Sequence, residues 1–431
     1  MLDIQFIRDN AQIVAEKSKQ KGYQVDIAHL LQLDTKRREL IQKSDELRAQ
    51  LNKAADSFKS HPPSKEQRVK LKEIKNQLSK LEDQQVSVDK DFLLLLKIVP
   101  NMPLKDVPVG SSEADNKVIK TWGNKPVFNF DAKSHWQIGA AKGWIDKERA
   151  AKVAGSRFAY IKGDLVMLQF ALWQFALNTL TDEKVIKQIV DSNKLKISTK
   201  PFVPVLPPAL ARTEVYEATG RLNKEEQTYK LADDDLWLNA SAEHTLAPMY
   251  LNEILEEKEL PIRYVGSTTA FRREAGTYGK DMEGILRLHQ FDKLEMESFS
   301  RPEESLLEHL LMIGIQEYLM QQLNLPYQVV LKCTAEIGGP NARGVDIEAW
   351  MPGQNQYRET HTADYITDYQ ARRMQTRLRR EDNSVHFVHT NDATAFSQRP
   401  LIAIIENNQT ENGHIKVPDV LKPFLGGRDL I

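Results

Sequence analysis

Residues 27–98 contain no glycine, and their only prolines are the adjacent pair Pro62-Pro63. Nothing else in the chain limits the possible folds so sharply. Leu40, Leu47, Leu51 and Ala54 recur at steps of seven, four and three, the spacing of one helical stripe. Val69, Leu71, Ile74, Leu78, Leu81 and Val88 make a second stripe beyond the prolines. The intervening FKSHPPS cannot stay helical, because proline lacks an N–H and restricts the residue before it. The spacing therefore predicts two helices of roughly 30 residues, over about 27–98, in an antiparallel hairpin roughly 45 Å long at the helical rise. Two helices bury only a narrow seam, so the hairpin should project from the body. From Lys36 to Lys80 it holds 13 Lys and Arg against 6 Asp and Glu, a local charge of +7. The formal charge of the whole chain is −1, which leaves −8 elsewhere. Such segregation points to a polyanionic partner; a solvated coiled-coil face without a ligand is the alternative.

Beyond the hairpin, IVPNMPLKDVPVGSSEADN at 98–116 is rich in Pro, Gly and Ser and reads as an interdomain linker. A mostly helical stretch from GDLVMLQFALWQFALNTL to about Ser192 follows. Short alternating segments come next: RYVGSTTAFRRE, ILRLHQFDKLEMESF, VDIEAWMPG and PLIAIIEN, all read as strands, with the helical EESLLEHLLMIGIQEYLMQQL between them. Strands interleaved with helices, without a regular βαβ repeat, predict an α+β domain around an antiparallel sheet. A chain of 431 residues, 41% hydrophobic and 28% charged, can bury a sizeable core. The single cysteine, Cys333, excludes a disulfide framework and a multi-cysteine zinc site. There is no G-x-G-x-x-G and no P-loop. The opening MLDIQFIRDNAQIV lacks an apolar signal region, and FLLLL at 92–96 is too short to cross a bilayer, so the expected location is the cytoplasm.

One stretch, FRREAGTYGKDMEGILRLHQFDKLEM at 271–296, concentrates opposite charges on a hairpin. Alternation would put Arg287, His289, Phe291, Lys293 and Glu295 on one face and Leu286, Leu288, Leu294 and Met296 on the other, toward a core. In the partner strand Ala270, Arg272 and Glu274 share parity, and AGTYGKDMEG forms the loop. Guanidinium forks suit phosphate, an aromatic face suits a nucleobase and a carboxylate suits an ammonium group. Together they describe a site for ATP plus an amino acid; cross-strand ion pairs on an exposed face are the plainer alternative.

The same stretch resembles motif 2 of the class II aminoacyl-tRNA synthetases in its seryl form, and the resemblance covers nearly the whole chain. MLDIQFIRDN looks like that family's opening, and the basic hairpin looks like its tRNA-binding arm. FVPVLPPAL, with Pro208, looks like motif 1; NASAEHTLAPMY resembles the serine-binding element; WMPGQNQYRETHTADYITDYQARR resembles the Mg–ATP segment; SQRPLIAIIENNQ through VPDVLKPFLGG resembles motif 3. The resemblance implies an N-terminal tRNA-binding domain over 1–103 and a catalytic domain over 104–431. Within the latter, motif 1 would span about 165–210, motif 2 about 262–296 and motif 3 about 394–425. It implies an antiparallel class II sheet flanked by helices, and a homodimer that binds tRNA(Ser) through its arm, with no membrane or DNA partner. The implied activity is serine–tRNA ligation, and charging of the selenocysteine tRNA stays open.

The resemblance also implies roles for individual residues. Arg272 and Arg399 would be catalytic, on the α-phosphate with the serine carboxylate and on the γ-phosphate respectively. ATP would further meet Arg273, Glu274, Arg287, Phe291, Glu359, Thr360, His361 and Thr362, with Glu274 on the adenine amine and Phe291 stacked on its ring. Glu359 and Thr362 would supply oxygens to a Mg2+ ion that bridges the phosphates. L-serine would be read by Ser241, Ala242, Glu243, Arg272, Glu295 and Thr394. Two rival readings are a ligase that loads an amino acid onto a carrier protein, and a non-catalytic RNA-binding paralogue. The arm argues against the first; retention of Arg272, Glu295 and Glu359 argues against the second.

Overall fold

The computed structural model describes residues 1–58, 62–222, 228–274 and 283–431. Two compact units divide the chain, Met1–Met102 and Pro103–Ile431.

In the first unit, helices Ile27–Ser57 and Lys65–Ile98 form the long pair. The second opens on a capping box: the Gln67 N–H donates to the Ser64 hydroxyl at 3.2 Å, and the Ser64 N–H donates to the Gln67 amide oxygen at 2.8 Å. Leu30, Leu40, Val88, Phe92 and Leu96 are buried along the seam. Leu47, Leu51, Leu71, Ile74, Leu78 and Leu81 are half-buried, and Val69 is exposed. Polar ties flank the seam, with Arg37 Nε 2.6 Å from Asp89 and Arg48 Nη2 2.9 Å from Glu82. The stripe expected from Val69 thus starts one turn too early, because the seam near the turn is too narrow to cover that side chain. Ser64→Ala removes a cap worth about 1 kcal/mol, so amide exchange over the first turn of Lys65–Ile98 should accelerate about five-fold, measured by hydrogen-exchange mass spectrometry.

The second unit is built on eight strands, named here in chain order: β1 Lys117–Trp122, β2 Val203–Val205, β3 Ile262–Phe271, β4 Gln290–Ser300, β5 Tyr327–Leu331, β6 Arg343–Met351, β7 Gln356–Thr367 and β8 His389–Ser397. Their order in the sheet is β1-β5-β6-β7-β8-β4-β3-β2. Every pairing is antiparallel except β2 on β3, which is parallel, so the expected antiparallel sheet is mixed at this edge. One face carries the core, where Leu294, Met296, Val345, Ile347, Ala363, Ala393 and Phe396 pack with Leu168, Leu172 and Phe175 of helix Asp164–Thr181 and with Leu311, Ile315 and Leu319 of helix Ser305–Gln322. The opposite face is polar. Period-two alternation therefore sorts each central strand into a core side and a site side.

Three strand expectations change. PLIAIIEN lies in a helix, Gln398–Asn407, whose apolar residues are buried all round; a short apolar run without a partner strand does not distinguish the two states. The strand expected over 285–299 begins only at Gln290, and its partner ends at Phe271, which leaves Arg272 and Glu274 on irregular backbone. Glu274 has φ +51°, outside any strand conformation. Most of the loop AGTYGKDMEG lies outside the described residues.

Candidate active site

Two β-bulges prepare the site. In β6 and β7, Asp346 pairs with Thr362 but Glu348 pairs with Glu359, so one extra residue, Thr360, sits in β7. Residues three apart on a regular strand face opposite sides; the bulge turns Glu359 to the face that holds Thr362. The same device operates between β8 and β4, where Thr394 pairs with Glu295 and Ser397 with Lys293. Pairing of β7 with β8 runs to Ala363 and Ala393, and beyond it the Thr362 and Thr394 carbonyls accept from the Gln316 amide at 2.7 and 2.9 Å. That side chain satisfies carbonyls that would otherwise be orphaned where the ladder opens.

An open cleft lies on this face. Its walls include Arg272, Glu274, Arg287, Phe291, Lys293, Glu359, Thr360, Thr362, Thr394, Ser397 and Arg399. Two separated guanidiniums, Arg272 and Arg399, thus border one space. Arg272 Nε donates to the Ala240 carbonyl at 3.3 Å, and its guanidinium lies 5.2 Å from the Phe291 ring centroid. Arg399 Nη1 is 3.0 Å from the Glu359 carboxylate. Desolvation within the cleft would raise the Glu359 pKa, but Arg399 and Lys332 pull it down to about 2. Arg287 Nη1 is 3.2 Å from Glu274, while Arg273 leans over the Tyr229 ring at 5.0 Å and does not border the cleft.

Other expected residues sit deeper. Glu295 has no exposed surface and touches Lys293. Its burial raises the carboxyl pKa, and Lys293 opposes the rise. Lys293 Nζ is also 3.5 Å from the Ser241 hydroxyl. Glu243 accepts from Arg221 Nε at 2.8 Å and from the Gln370 amide at 2.7 Å. Ala242 is buried beside it. The Pro208 carbonyl accepts from Thr245, within the short helix that carries Glu243.

His361, like Arg273, departs from the expectation. Its ring is buried 5.7 Å from Phe396 on the core side and does not border the cleft; burial pushes its pKa down to about 3. Alternation explains this, since His361 pairs with Ile347 of the core face.

Sequence reasoning gave no role to Lys293, Arg221, Gln370, Lys332, Asp346, Asp364 or Asp392. Lys332 Nζ is 3.1 Å from Asp346, 3.8 Å from Asp364 and 3.0 Å from the Thr362 hydroxyl. These carboxylates and that of Glu359 raise the lysine pKa despite burial, and burial pushes Asp346 up to about 7. Only Lys293 left a legible signal, its shared parity with Glu295.

Residues 227–408 match the family described as the tRNA synthetase class II core domain (G, H, P, S and T), and residues 1–103 match the seryl-tRNA synthetase N-terminal domain. The serine–tRNA ligase of Citrifermentans bemidjiense is 37% identical, with 100% of both chains covered. That of Nitrosopumilus maritimus is also 37% identical, with 99% of both covered. Among solved structures, the seryl-tRNA synthetase of Pyrococcus horikoshii complexed with ATP superposes with a TM-score of 0.89 at 37% identity, covering 100% of this chain and 99% of that one. The cytoplasmic serine–tRNA ligase of Naegleria fowleri in complex with AMP gives 0.85 at 27% identity, covering 100% and 98%. With matches of this extent at both ends, the chain belongs to the seryl-tRNA synthetase family of class II aminoacyl-tRNA synthetases.

Proposed function

We propose that this serine–tRNA ligase carries out both of its half-reactions in the cleft bordered by Arg272 and Arg399. A serine carboxylate oxygen attacks the α-phosphorus of ATP; the new O–P bond gives seryl-adenylate, and the bond to pyrophosphate breaks with its electron pair on the leaving oxygen. A hydroxyl of the terminal adenosine of tRNA(Ser) then attacks the seryl carbonyl, and AMP departs. No protein nucleophile takes part, so the protein contributes positioning and charge.

Arg272 holds the α-phosphate and the serine carboxylate, where charge builds on the equatorial oxygens. Arg399 holds the γ-phosphate and turns the leaving pyrophosphate away from the attack. Phe291 stacks on adenine, under the guanidinium that already covers one side of its ring. Glu274 accepts from the adenine amine, and Arg287, its ion-pair partner, faces the phosphates. Thr360 completes the nucleotide wall, Arg273 stays outside it over the Tyr229 ring, and His361 contributes backbone alone, since its ring faces the core. Serine's ammonium group is met by Glu295, with Ser241 and Glu243 behind it, and its hydroxyl by Thr394 and Glu295. Glu359 and Thr362 offer the hard oxygens that Mg2+ prefers, and the half-exposed Glu359 carboxylate borders the cleft, so the pair fits the ion; when bound it would neutralise phosphate charge.

The basic helix pair of the first unit suits the tRNA backbone, read by shape and charge. A homodimer is favoured by a run of exposed apolar side chains: Met167 and Phe170 on helix Asp164–Thr181, Val203 on the edge strand and Leu206, which is 87% exposed. No described helix is long and apolar enough to cross a membrane, which is compatible with a cytoplasmic location.

The convergence of Arg272, Arg399 and Phe291 on one cleft is the observation that carries this reading. Pyrophosphate exchange with each amino acid in turn, with and without tRNA, tests it. Serine should support exchange without tRNA; silence with serine removes the reading, and equal exchange with alanine or glycine removes the role of the hydroxyl contacts.

A further inference from the structure

The site face becomes more anionic with depth. Along β4, Lys293, Glu295 and Glu297 follow one another on the same side, so Glu297 lies about 7 Å beyond Glu295. Glu297 pairs across the sheet with Asp392 of β8, and Asp392 pairs with Asp364 of β7. Three adjacent central strands therefore place carboxylates directly opposite one another, an arrangement that destabilises a sheet unless the charge is met. Glu243 adds a carboxylate from above, held to the same guanidinium of Arg221 that reaches Asp392 at 3.3 Å and Asp364 at 3.4 Å.

The countercharge falls short. Against Glu243, Glu295, Glu297, Asp364 and Asp392 stand, among the described residues, Arg221, Lys293, Lys332 and, beyond ion-pair distance, Arg272, and Lys332 is shared with Asp346. Glu297 makes the shortfall concrete: it has no exposed surface, and neither of its carboxylate oxygens has a hydrogen-bond partner among the described residues. Burial, reinforced by Asp392, pushes its pKa well above the usual carboxylate range, and burial with Glu243 does the same to Asp392. Protons fill these places when nothing else does. A metal ion does not suit them, because no group of three or more ligating His, Cys, Asp or Glu side chains among the described residues is arranged to hold one. An ammonium group does suit this surface, since that of Lys293 already rests against Glu295 and within 3.5 Å of the Ser241 hydroxyl.

We propose that this carboxylate floor admits, besides serine, an amino acid with a second ammonium group on a short side chain, and that Glu297 and Asp392 are the specificity-determining residues for it. The inference rests on the serine site proposed above. L-2,3-Diaminopropionate, which is serine with an amine in place of the hydroxyl, is the probe. Its carboxylate attacks the α-phosphorus as serine's does, with pyrophosphate as the leaving group; the side-chain amine takes no part in bond making. It stays on the anionic floor, where a small desolvated cation opposite the unpartnered Glu297 carboxylate gains most.

The test is pyrophosphate exchange by the full chain with diaminopropionate as the sole amino acid, beside L-serine and L-alanine. Diaminopropionate should exceed the alanine background about ten-fold or more, and both Glu297→Gln and Asp392→Asn should lower the diaminopropionate-to-serine ratio about ten-fold. Both variants replace a buried acid by an amide of nearly the same shape, so thermal unfolding should show them folded. If diaminopropionate matches alanine while serine is active, or the ratio stays level in both variants, the proposal is wrong. If serine is inactive too, the fault lies with the serine site itself.

Discussion

Arg272→Ala should lower serine-dependent pyrophosphate exchange by about 10²- to 10³-fold, the usual effect of deleting one preorganised donor from a site where anionic charge develops. The side chain stands where β3 has ended, on backbone fixed by reciprocal contacts with His289: the Arg272 N–H donates to the His289 carbonyl at 2.9 Å, and the His289 ring lies 2.9 Å from the Arg272 carbonyl. Its guanidinium is exposed and rests over Phe291. Truncation therefore removes little packing, and the unfolding midpoint should move by less than about 0.5 kcal/mol equivalent. Arg272→Lys should recover only part of the rate, since an ammonium group cannot span a phosphate and a carboxylate as a planar fork does. An alanine variant within about three-fold of wild type would place the reacting phosphate elsewhere.

The largest stability effect should come from Arg263. Its side chain and that of Glu308 are both fully buried. Arg263 Nε and Nη2 donate to the two Glu308 oxygens at 2.8 and 2.7 Å, Nη2 also donates to the Ser198 carbonyl at 2.9 Å, and Nη1 donates to the Lys200 carbonyl. This arginine ties β3 to helix Ser305–Gln322 and to the segment that leads into β2. Arg263→Met leaves a carboxylate without a partner in the interior and should cost about 3–5 kcal/mol, read from urea denaturation. Adding Glu308→Leu should return most of that loss, because the orphaned charge goes with it. A single-variant cost below about 1 kcal/mol would mean that water reaches Glu308.

The long helix pair was legible because a 3.6-residue period survives over many turns, and only Val69, at the thin end of the seam, reads wrongly. The sheet was legible strand by strand but not in its limits. Alternation continues through Arg287 and His289, yet no partner strand lies opposite them among the described residues, and pairing decides where a strand stops. PLIAIIEN failed for a related reason: a segment buried on every side shows no periodicity by which to choose helix or strand. In the site, Arg272, Glu274, Phe291 and Arg399 could be named because each sits in a contiguous motif. Arg221 could not, because its partners Asp364 and Asp392 lie 143 and 171 residues away. Glu359 and Thr362 resist alternation altogether, being an odd number of residues apart on one face.

That last pair has a consequence for how such a chain can drift. Point changes at Thr360 leave the count of residues between Glu359 and Thr362 intact, but loss of a single codon there would restore a regular ladder and rotate one of the two oxygens into hydrocarbon. The strand should thus tolerate spelling errors far better than shifts of frame by whole residues, and lineages that keep this cleft should keep its length before they keep its letters.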